Sequence, residues 1–267
     1  MVIVVLFLYL PQIKLKLMTD LIIRKSHPIV EAGYKLSIAE QRIILLSLAK
    51  LDNRNTEQSK VTLYAMDYAR TFGLSEKIAY TELSKASKRL YERSIILKGE
   101  NETTEFRWIE SRTKYHKGEG RISFEFSRRV LPYLFELDKK LGYTQYELLS
   151  VSGFTSNYSI RIYELSVKLL GMRNKTVSVE ELRRILQLET KYKEFRELNK
   201  FVIKVAVNEI NEKSDLLLSI EPLKQGRKVV ALEFKLAKKT KTLTAKKTDS
   251  SRIIYGVFEE KNRPQVA

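Results

Sequence analysis

The chain has 267 residues, of which 49 are Lys or Arg and 32 are Asp or Glu, so it carries a formal net charge of +17. The absence of cysteine and the presence of only two histidines exclude a disulfide scaffold, a thiolate metal site and a His-rich metal site. Because 43% of the residues are hydrophobic, the chain can bury a core. We therefore expect a cytoplasmic protein of two domains whose partner is a polyanion, most commonly a nucleic acid.

The first residues form a short apolar run, residues 1–10, that Pro11 stops. About 20 residues are needed to cross a bilayer, and the lysines follow the run, whereas a signal peptide carries its basic residues first. A weak membrane anchor is one interpretation of this run. We favour an upstream start codon, with Met18 as the natural beginning, and we expect no membrane partner.

The first half of the chain predicts three helices followed by two strands. Helical spacing of apolar residues indicates a helix over 38–51, and Gly73 with Ser75 marks the end of one helix and the start of the next. Alternating apolar and polar residues predict a strand over 122–126. The remaining predicted elements are a strand at 61–63, helices at 64–72 and 75–92, a strand at 106–109 and a polar loop at 110–120.

The second half repeats this order of elements. Its predicted elements are a helix at 158–170, a short strand at 176–178, helices at 179–186 and 192–211, and strands at 216–220 and 229–236. Arg70 aligns with Arg184, and Leu83 with Leu198. A repeat of more than a hundred residues indicates a duplicated domain, because solenoid repeats are about 20–50 residues long.

Three helices followed by a two-stranded ribbon is the order of a winged helix-turn-helix. We therefore predict an α+β chain, mainly α, built from tandem winged helix-turn-helix domains with short antiparallel wings. The predicted parts are an N-terminal extension at 1–19, a first domain at 20–130 for dimerisation and DNA backbone contact, a second, main DNA-reading domain at 131–237, and a flexible basic tail at 238–267.

The long helix of the second half predicts a DNA-reading surface. At 100° per residue, an arc of about 80° holds its basic residues Lys193, Arg196, Lys200 and Lys204. The other side is apolar: Phe195, Leu198, Val202 and Val205. Such a stripe suits the major groove, where Asn199 beside it could pair with adenine. A solvated basic face is the alternative; the third-helix position, the net charge and a basic turn with Lys224, Arg227 and Lys228 favour DNA.

The long helix of the first half gives a milder version of the same pattern. Its polar face holds Lys77, Thr81, Lys85 and Lys88, and its apolar face holds Ala79, Leu83, Ala86 and Leu90. The following wing is basic, with Lys114 and Lys117. We therefore predict that this domain also contacts double-stranded DNA.

Enzymatic functions have little support in the sequence. A phosphate-binding Gly-x-x-x-x-Gly-Lys-Ser/Thr loop is missing, and His27 and His116 are far apart in the chain. Aspartates do not occur in an Asp-x-Asp pattern that would suggest a metal-dependent nuclease. We predict no catalytic residues, no metal and no cofactor.

Four segments resemble RepB-like plasmid replication initiator (Rep) proteins: MTDLIIRKSHPIV at 18–30, LSIAEQRIIL at 36–45, YSIRIYEL at 158–165, and VNEINE at 207–212 ahead of Gly226-Arg227-Lys228. The resemblance implies two winged-helix domains that bind repeated sites (iterons) in a plasmid origin. It also implies a monomer–dimer equilibrium, with the monomer initiating replication and the dimer repressing its own promoter, and recruitment of the host initiator DnaA and the replicative helicase. Carried onto this chain, the resemblance places Arg161 near the phosphates.

Two other functions stay open, a transcriptional repressor without an initiation role and a DNA-processing enzyme. Direct repeats suit monomers, whereas inverted repeats require a two-fold dimer. We predict that dimerisation maps to about residues 95–130, where apolar residues crowd the strands, although these residues could equally be plain core. Ile109→Lys on an exposed strand face is then expected to favour the monomer.

Overall fold

The computed structural model describes residues 21–51, 58–115, 120–134 and 142–239. The predicted N-terminal extension, Lys117 of the first wing and residues 240–267 of the predicted tail lie outside the described residues. In the described part of the chain, no helix is long and apolar enough to span a bilayer.

The helices and strands follow one another in two similar groups. The described helices are α1 (His27–Glu31), α2 (Ile38–Lys50), α3 (Ala65–Phe72), α4 (Glu76–Leu90), α5 (Leu131–Leu134), α6 (Leu149–Ser152), α7 (Asn157–Leu170), α8 (Val179–Leu186), α9 (Phe195–Leu198) and α10 (Lys204–Lys213). The described strands are β1 (Ile22–Ser26), β2 (Lys60–Tyr64), β3 (Ser94–Lys98), β4 (Thr103–Arg107), β5 (Ile109–Lys114), β6 (Arg121–Phe126), β7 (Tyr143–Glu147), β8 (Thr176–Ser178), β9 (Leu216–Gln225) and β10 (Lys228–Lys238). A π-helical segment, Asn199–Ile203, joins α9 to α10. We call α4 the first long helix and residues 195–213 the second long helix.

Each group forms a winged helix-turn-helix. In the first, α2, α3 and α4 pack with the antiparallel sheet β2–β6–β5, in which Val61 lies opposite Phe124. In the second, α7, α8 and the second long helix accompany the antiparallel sheet β8–β10–β9, in which Val177 lies opposite Leu232. The predicted fold of tandem winged-helix domains is therefore confirmed.

The domain boundary differs from the predicted one at 130/131. Strand β7 pairs antiparallel with β1, and Ile23 lies opposite Tyr146. Residues 143–147 therefore belong to the first domain. Helix α7 contacts α1 and β7 of that domain and also α10 and β10 of the second, so it is shared by both.

The predicted strand at 106–109 is divided between two strands, because the chain bends at Trp108. This side chain is fully buried and meets the Tyr34 ring edge-on, with the ring centroids 5.0 Å apart. Strand β4 ends before it and β5 begins after it, so β5 runs into the predicted loop at 110–120. Ile109 is also fully buried, which makes it part of the core and unsuitable as a dimer contact.

The second long helix begins at Phe195, three residues later than predicted. Tyr192 has a φ of 51°, which lies in the left-handed region and cannot belong to a right-handed helix. Leu198 is therefore the fourth residue of its helix, as Ala79 is of the first long helix, so the alignment of Leu83 with Leu198 is wrong.

Candidate nucleic-acid interface

The turn after the second helix has the same backbone geometry in both domains. Gly73 and Gln187 follow α3 and α8 with φ values of 65° and 53°. The amide of Leu74 donates to the Ala69 carbonyl at 2.9 Å, and the amide of Leu188 donates to the Arg183 carbonyl at 2.8 Å. These matching hydrogen bonds confirm the predicted alignment of Arg70 with Arg184.

Helix α2 sets the position of the first long helix through two charged side chains. Glu40 forms a capping box with Ser37 at the start of α2, and its fully buried carboxylate accepts a hydrogen bond from Arg89 Nε at 3.0 Å. Arg42 forms an ion pair with Glu82 at 3.3 Å. Since Glu82 and Arg89 both belong to α4, these contacts fix its direction relative to α2.

Glu209 fixes the position of the second long helix, as Glu40 and Arg42 fix that of the first. Its carboxylate accepts hydrogen bonds from the Thr155 amide at 2.6 Å and the Ser156 amide at 3.2 Å, at the beginning of α7. Burial alone would raise the pKa of Glu209, but the hydrogen bonds that its carboxylate accepts lower the pKa to about 2. Glu209 is therefore ionised at neutral pH and ties the second long helix to α7.

The turn before the second long helix is longer than its counterpart. It spans residues 187–194, whereas the first domain uses only 73–75. The Arg183 guanidinium donates to four carbonyl oxygens of this turn, those of Leu188, Lys191, Tyr192 and Lys193, at 2.6–3.3 Å. One buttressing arginine thus holds the long turn in place.

The first long helix presents the predicted polar face. Lys77, Thr81, Lys85 and Lys88 are exposed, and Ala79, Leu83, Ala86 and Leu90 opposite them are fully buried. The Thr81 hydroxyl donates a hydrogen bond to the Lys77 carbonyl at 2.9 Å. This face is available to a ligand, and its contact with DNA stays a prediction.

The second long helix presents Arg196, Lys200 and Lys204 to solvent, with Asn199 half-buried beside them. Lys193 is exposed but precedes the helix, so it belongs to the turn. Val205 is 42% exposed, so the prediction that it lies on the buried apolar side of the helix is wrong. A π-helical turn takes up extra residues, so the buried face moves from Val205 to Ala206, which is fully buried.

The wings add further cations. Lys224, Arg227 and Lys228 are exposed around the β9–β10 turn, where Gly226 has a φ of 61°. Lys114 is exposed at the end of β5, in the first wing. Each long helix therefore belongs to a domain whose wing also carries positive charge.

Arg161 is not a phosphate contact. It is only 2% exposed, and its Nη2 donates to the carbonyls of Val30 at 3.0 Å and Ala32 at 2.8 Å. The Arg161 guanidinium also contacts the Tyr34 hydroxyl and the Glu164 carboxylate. The predicted role is wrong because the side chain is used to attach α7 to the first domain.

Within residues 21–51, 58–115, 120–134 and 142–239, no three His, Asp or Glu residues are grouped so that they could hold a metal ion.

These features define a tandem winged-helix protein with a basic face on each helix-turn-helix. Residues 22–167 match the family profile described as "Initiator Replication protein, WH1", and residues 178–236 match "Initiator Rep protein, WH2". The chain therefore belongs to the initiator replication (Rep) protein family. The extent of the first match also places β7 and most of α7 with the first domain.

Two relatives from Escherichia coli and one solved structure are similar to this chain. A "Replication initiation protein" is 30% identical over 234 residues, which cover 82% of this chain and 70% of the relative. A "PI protein" is 25% identical over 264 residues, covering 83% and 85%. The crystal structure of a Pi initiator protein in complex with iteron DNA has a TM-score of 0.71 at 24% identity, covers 83% of this chain and 98% of that chain, and shares the fold.

Proposed function

We propose that the chain is a plasmid replication initiator that binds repeated origin DNA (iterons) sequence-specifically. It helps to open the origin, recruits the host initiator DnaA and the replicative helicase, and represses its own gene. The observation that carries this proposal is the pair of exposed basic stripes, one on each long helix and each beside a basic wing. The name of one relative, "Replication initiation protein", supports the same function.

The two domains have different tasks in this proposal. The second long helix carries Arg196, whose guanidinium can donate two hydrogen bonds to guanine N7 and O6, with Asn199 beside it for adenine. The exposed face of the first long helix is mainly lysine, a residue that commonly contacts phosphates. We therefore assign sequence reading to the second domain and mainly backbone contact to the first.

The test of DNA recognition is the affinity for a duplex of direct repeats from the gene's own origin, measured against a scrambled duplex over a salt series. We expect preference for the repeats and a fall of log affinity with log salt at about −0.9 per neutralised phosphate. With roughly 6–10 phosphate contacts, the slope lies between about −5 and −9. Equal affinity for both duplexes, or a nearly flat salt dependence, contradicts the proposal.

The repressor alternative makes a different prediction for the same protein. A repressor without an initiation role binds one inverted repeat. It does not start replication of a plasmid that carries the direct repeats. Loss of replication from a test origin after deletion of the gene, restored by expression of this chain, supports initiation.

We also propose that dimerisation uses the outer edge of β4 in the first domain. Ile96 of β3 exchanges two backbone hydrogen bonds with Gly33, so its N–H and C=O point away from β4. Glu105 lies opposite Ile96, and antiparallel alternation therefore points the N–H of Glu105 away from β3. Among the described strands, β4 pairs only with β3, which leaves this edge open to a second copy.

Glu105→Pro is expected to shift the population to monomer, because proline removes the outward N–H and leaves the bonds to β3. Sedimentation equilibrium measures the dimer, and parallel titrations compare inverted with direct repeats; only binding to the inverted repeat is expected to weaken. Glu105→Ala keeps the N–H and is the matched control. An unchanged dimer, or equal loss on both DNAs in a folded protein, excludes this edge.

A further inference from the structure

A second stripe of exposed residues runs beside the basic stripe of the second long helix. Phe201 and Val205 are 47% and 42% exposed and lie one turn apart, next in sequence to Lys200 and Lys204. Leu198, Val202 and Ala206 of the same helix are fully buried, whereas Phe201 and Val205 do not belong to the core. The structure thus leaves an apolar pair on the surface that the basic stripe would bring to DNA.

Phe201 is held in position by the turn before the helix. Its ring stacks on Tyr192 with the centroids 5.7 Å apart and the planes at 26°. The left-handed backbone of Tyr192 is fixed by Arg183, whose Nη2 donates to the Tyr192 carbonyl at 2.6 Å. Lys200 Nζ lies 5.0 Å from the centroid of the Phe201 ring. The aromatic face is therefore oriented before any ligand binds.

The chemistry of the major groove identifies a ligand for an apolar pair flanked by cations. Among the four bases, only thymine presents a methyl group there, and apolar side chains read it by contact. The neighbouring lysines suit the phosphates on either side. A protein partner would gain little from the lysines unless it were acidic, so the charge of this surface favours DNA.

We propose that Phe201 and Val205 contact the C5-methyl groups of thymine within the repeat, and that Arg183, acting through Tyr192, positions Phe201. This inference rests on the proposed function, because it requires the second long helix to lie in the major groove. It adds specificity for T·A pairs to the hydrogen-bond reading assigned to Arg196 and Asn199.

The test replaces each thymine of the repeat in turn by deoxyuridine, which removes only the methyl group and keeps the base pair. At one or two positions, we expect the affinity of the unaltered protein to fall about fourfold per methyl. Phe201→Ala and Val205→Ala are expected to bind the thymine duplex more weakly and to lose the distinction between thymine and uracil. Leu217→Ala, at a position that is 50% exposed on β9, is the matched control and should keep the distinction.

The possible outcomes separate this proposal from the proposed function. Equal binding of thymine and uracil duplexes at every position, with the preference for repeats intact, overturns the methyl contact alone. Weaker binding by Phe201→Ala, with an unchanged ratio of the affinities for the thymine and uracil duplexes, also overturns it and points to a structural role. Unchanged binding and an unchanged ratio overturn it too and point to a protein partner. Absence of any preference for repeats in the unaltered protein contradicts the proposed function and the methyl contact together.

The role of Arg183 is tested through the ratio of the affinities for the thymine and uracil duplexes. A purely structural loss of affinity would not change this ratio. Arg183→Gln is expected to lower the thymine-to-uracil ratio at the positions that Phe201 reads. The double variant Arg183→Gln/Phe201→Ala should lower the ratio no further than Phe201→Ala alone, because both changes remove the same contact. Additive effects on the ratio overturn the positioning role, and circular dichroism verifies that each variant is folded.

Discussion

Glu164→Gln is expected to lower the free energy of unfolding by about 3–5 kcal/mol, because it leaves two buried cations without their counter-ion. Glu164 is fully buried and pairs with Lys25 Nζ at 2.6 Å, while Arg161 lies on its other oxygen at 3.4 Å. The Tyr146 hydroxyl donates to the same carboxylate at 2.6 Å. These partners come from β1, β7 and α7, so the substitution loosens the attachment of the shared helix to the first domain.

The charge state of this cluster supports the size of the effect. Burial would raise the pKa of Glu164, but the positive charges of Lys25 and Arg161 lower it, so the carboxylate is ionised at neutral pH. Glutamine has nearly the same shape and no charge, and the loss is therefore electrostatic rather than a packing defect.

The matched control for Glu164→Gln is Glu221→Gln. Glu221 pairs with Lys235 at 2.6 Å on the surface, where both side chains are at least half exposed. An exposed pair contributes roughly 0–1 kcal/mol, so the control should change stability little. Urea unfolding followed by circular dichroism measures both variants. Equal, small losses in the two would show that the buried cluster does not hold α7 to the first domain.

The sequence predicts those features of the fold that depend on neighbouring residues. Helical spacing places the buried Ala79, Leu83 and Leu90 correctly, because a helix repeats its faces every few residues. The same reasoning locates Ser75 as the N-cap of the first long helix, where its hydroxyl accepts from the Ile78 amide. The exposed lysines of both long helices follow from the same periodicity.

The errors have their causes in long-range contacts and in local departures from regular helix. Pairing of β1 with β7 joins segments that are far apart in the chain, and no local pattern marks it. The left-handed Tyr192 delays the start of the second long helix, and the π-helical segment moves its buried face from Val205 to Ala206. Arg161 illustrates a further difficulty, since a buried arginine and a phosphate-binding arginine look the same in a sequence.

The second large effect is expected from removing three charges from one long helix at a time. Arg196→Ala/Lys200→Ala/Lys204→Ala should reduce the ratio of repeat to scrambled affinity by roughly 5- to 150-fold, since the base contact of Arg196 is worth about 1–3 kcal/mol. The two lysines contact phosphates, so their loss lowers the affinity for both duplexes. All three side chains are exposed, so the fold should persist.

The matched variant carries Lys77→Ala, Lys85→Ala and Lys88→Ala in the first long helix, and it also removes three exposed positive charges. If these lysines touch only phosphates, affinity for both duplexes falls in parallel and the salt slope becomes shallower by about 1 per lysine. Because both variants have the same net charge, a general electrostatic effect would change them equally. The roles assigned to the two domains would be reversed if the first-helix variant lost its preference for the repeat duplex while the second-helix variant kept it.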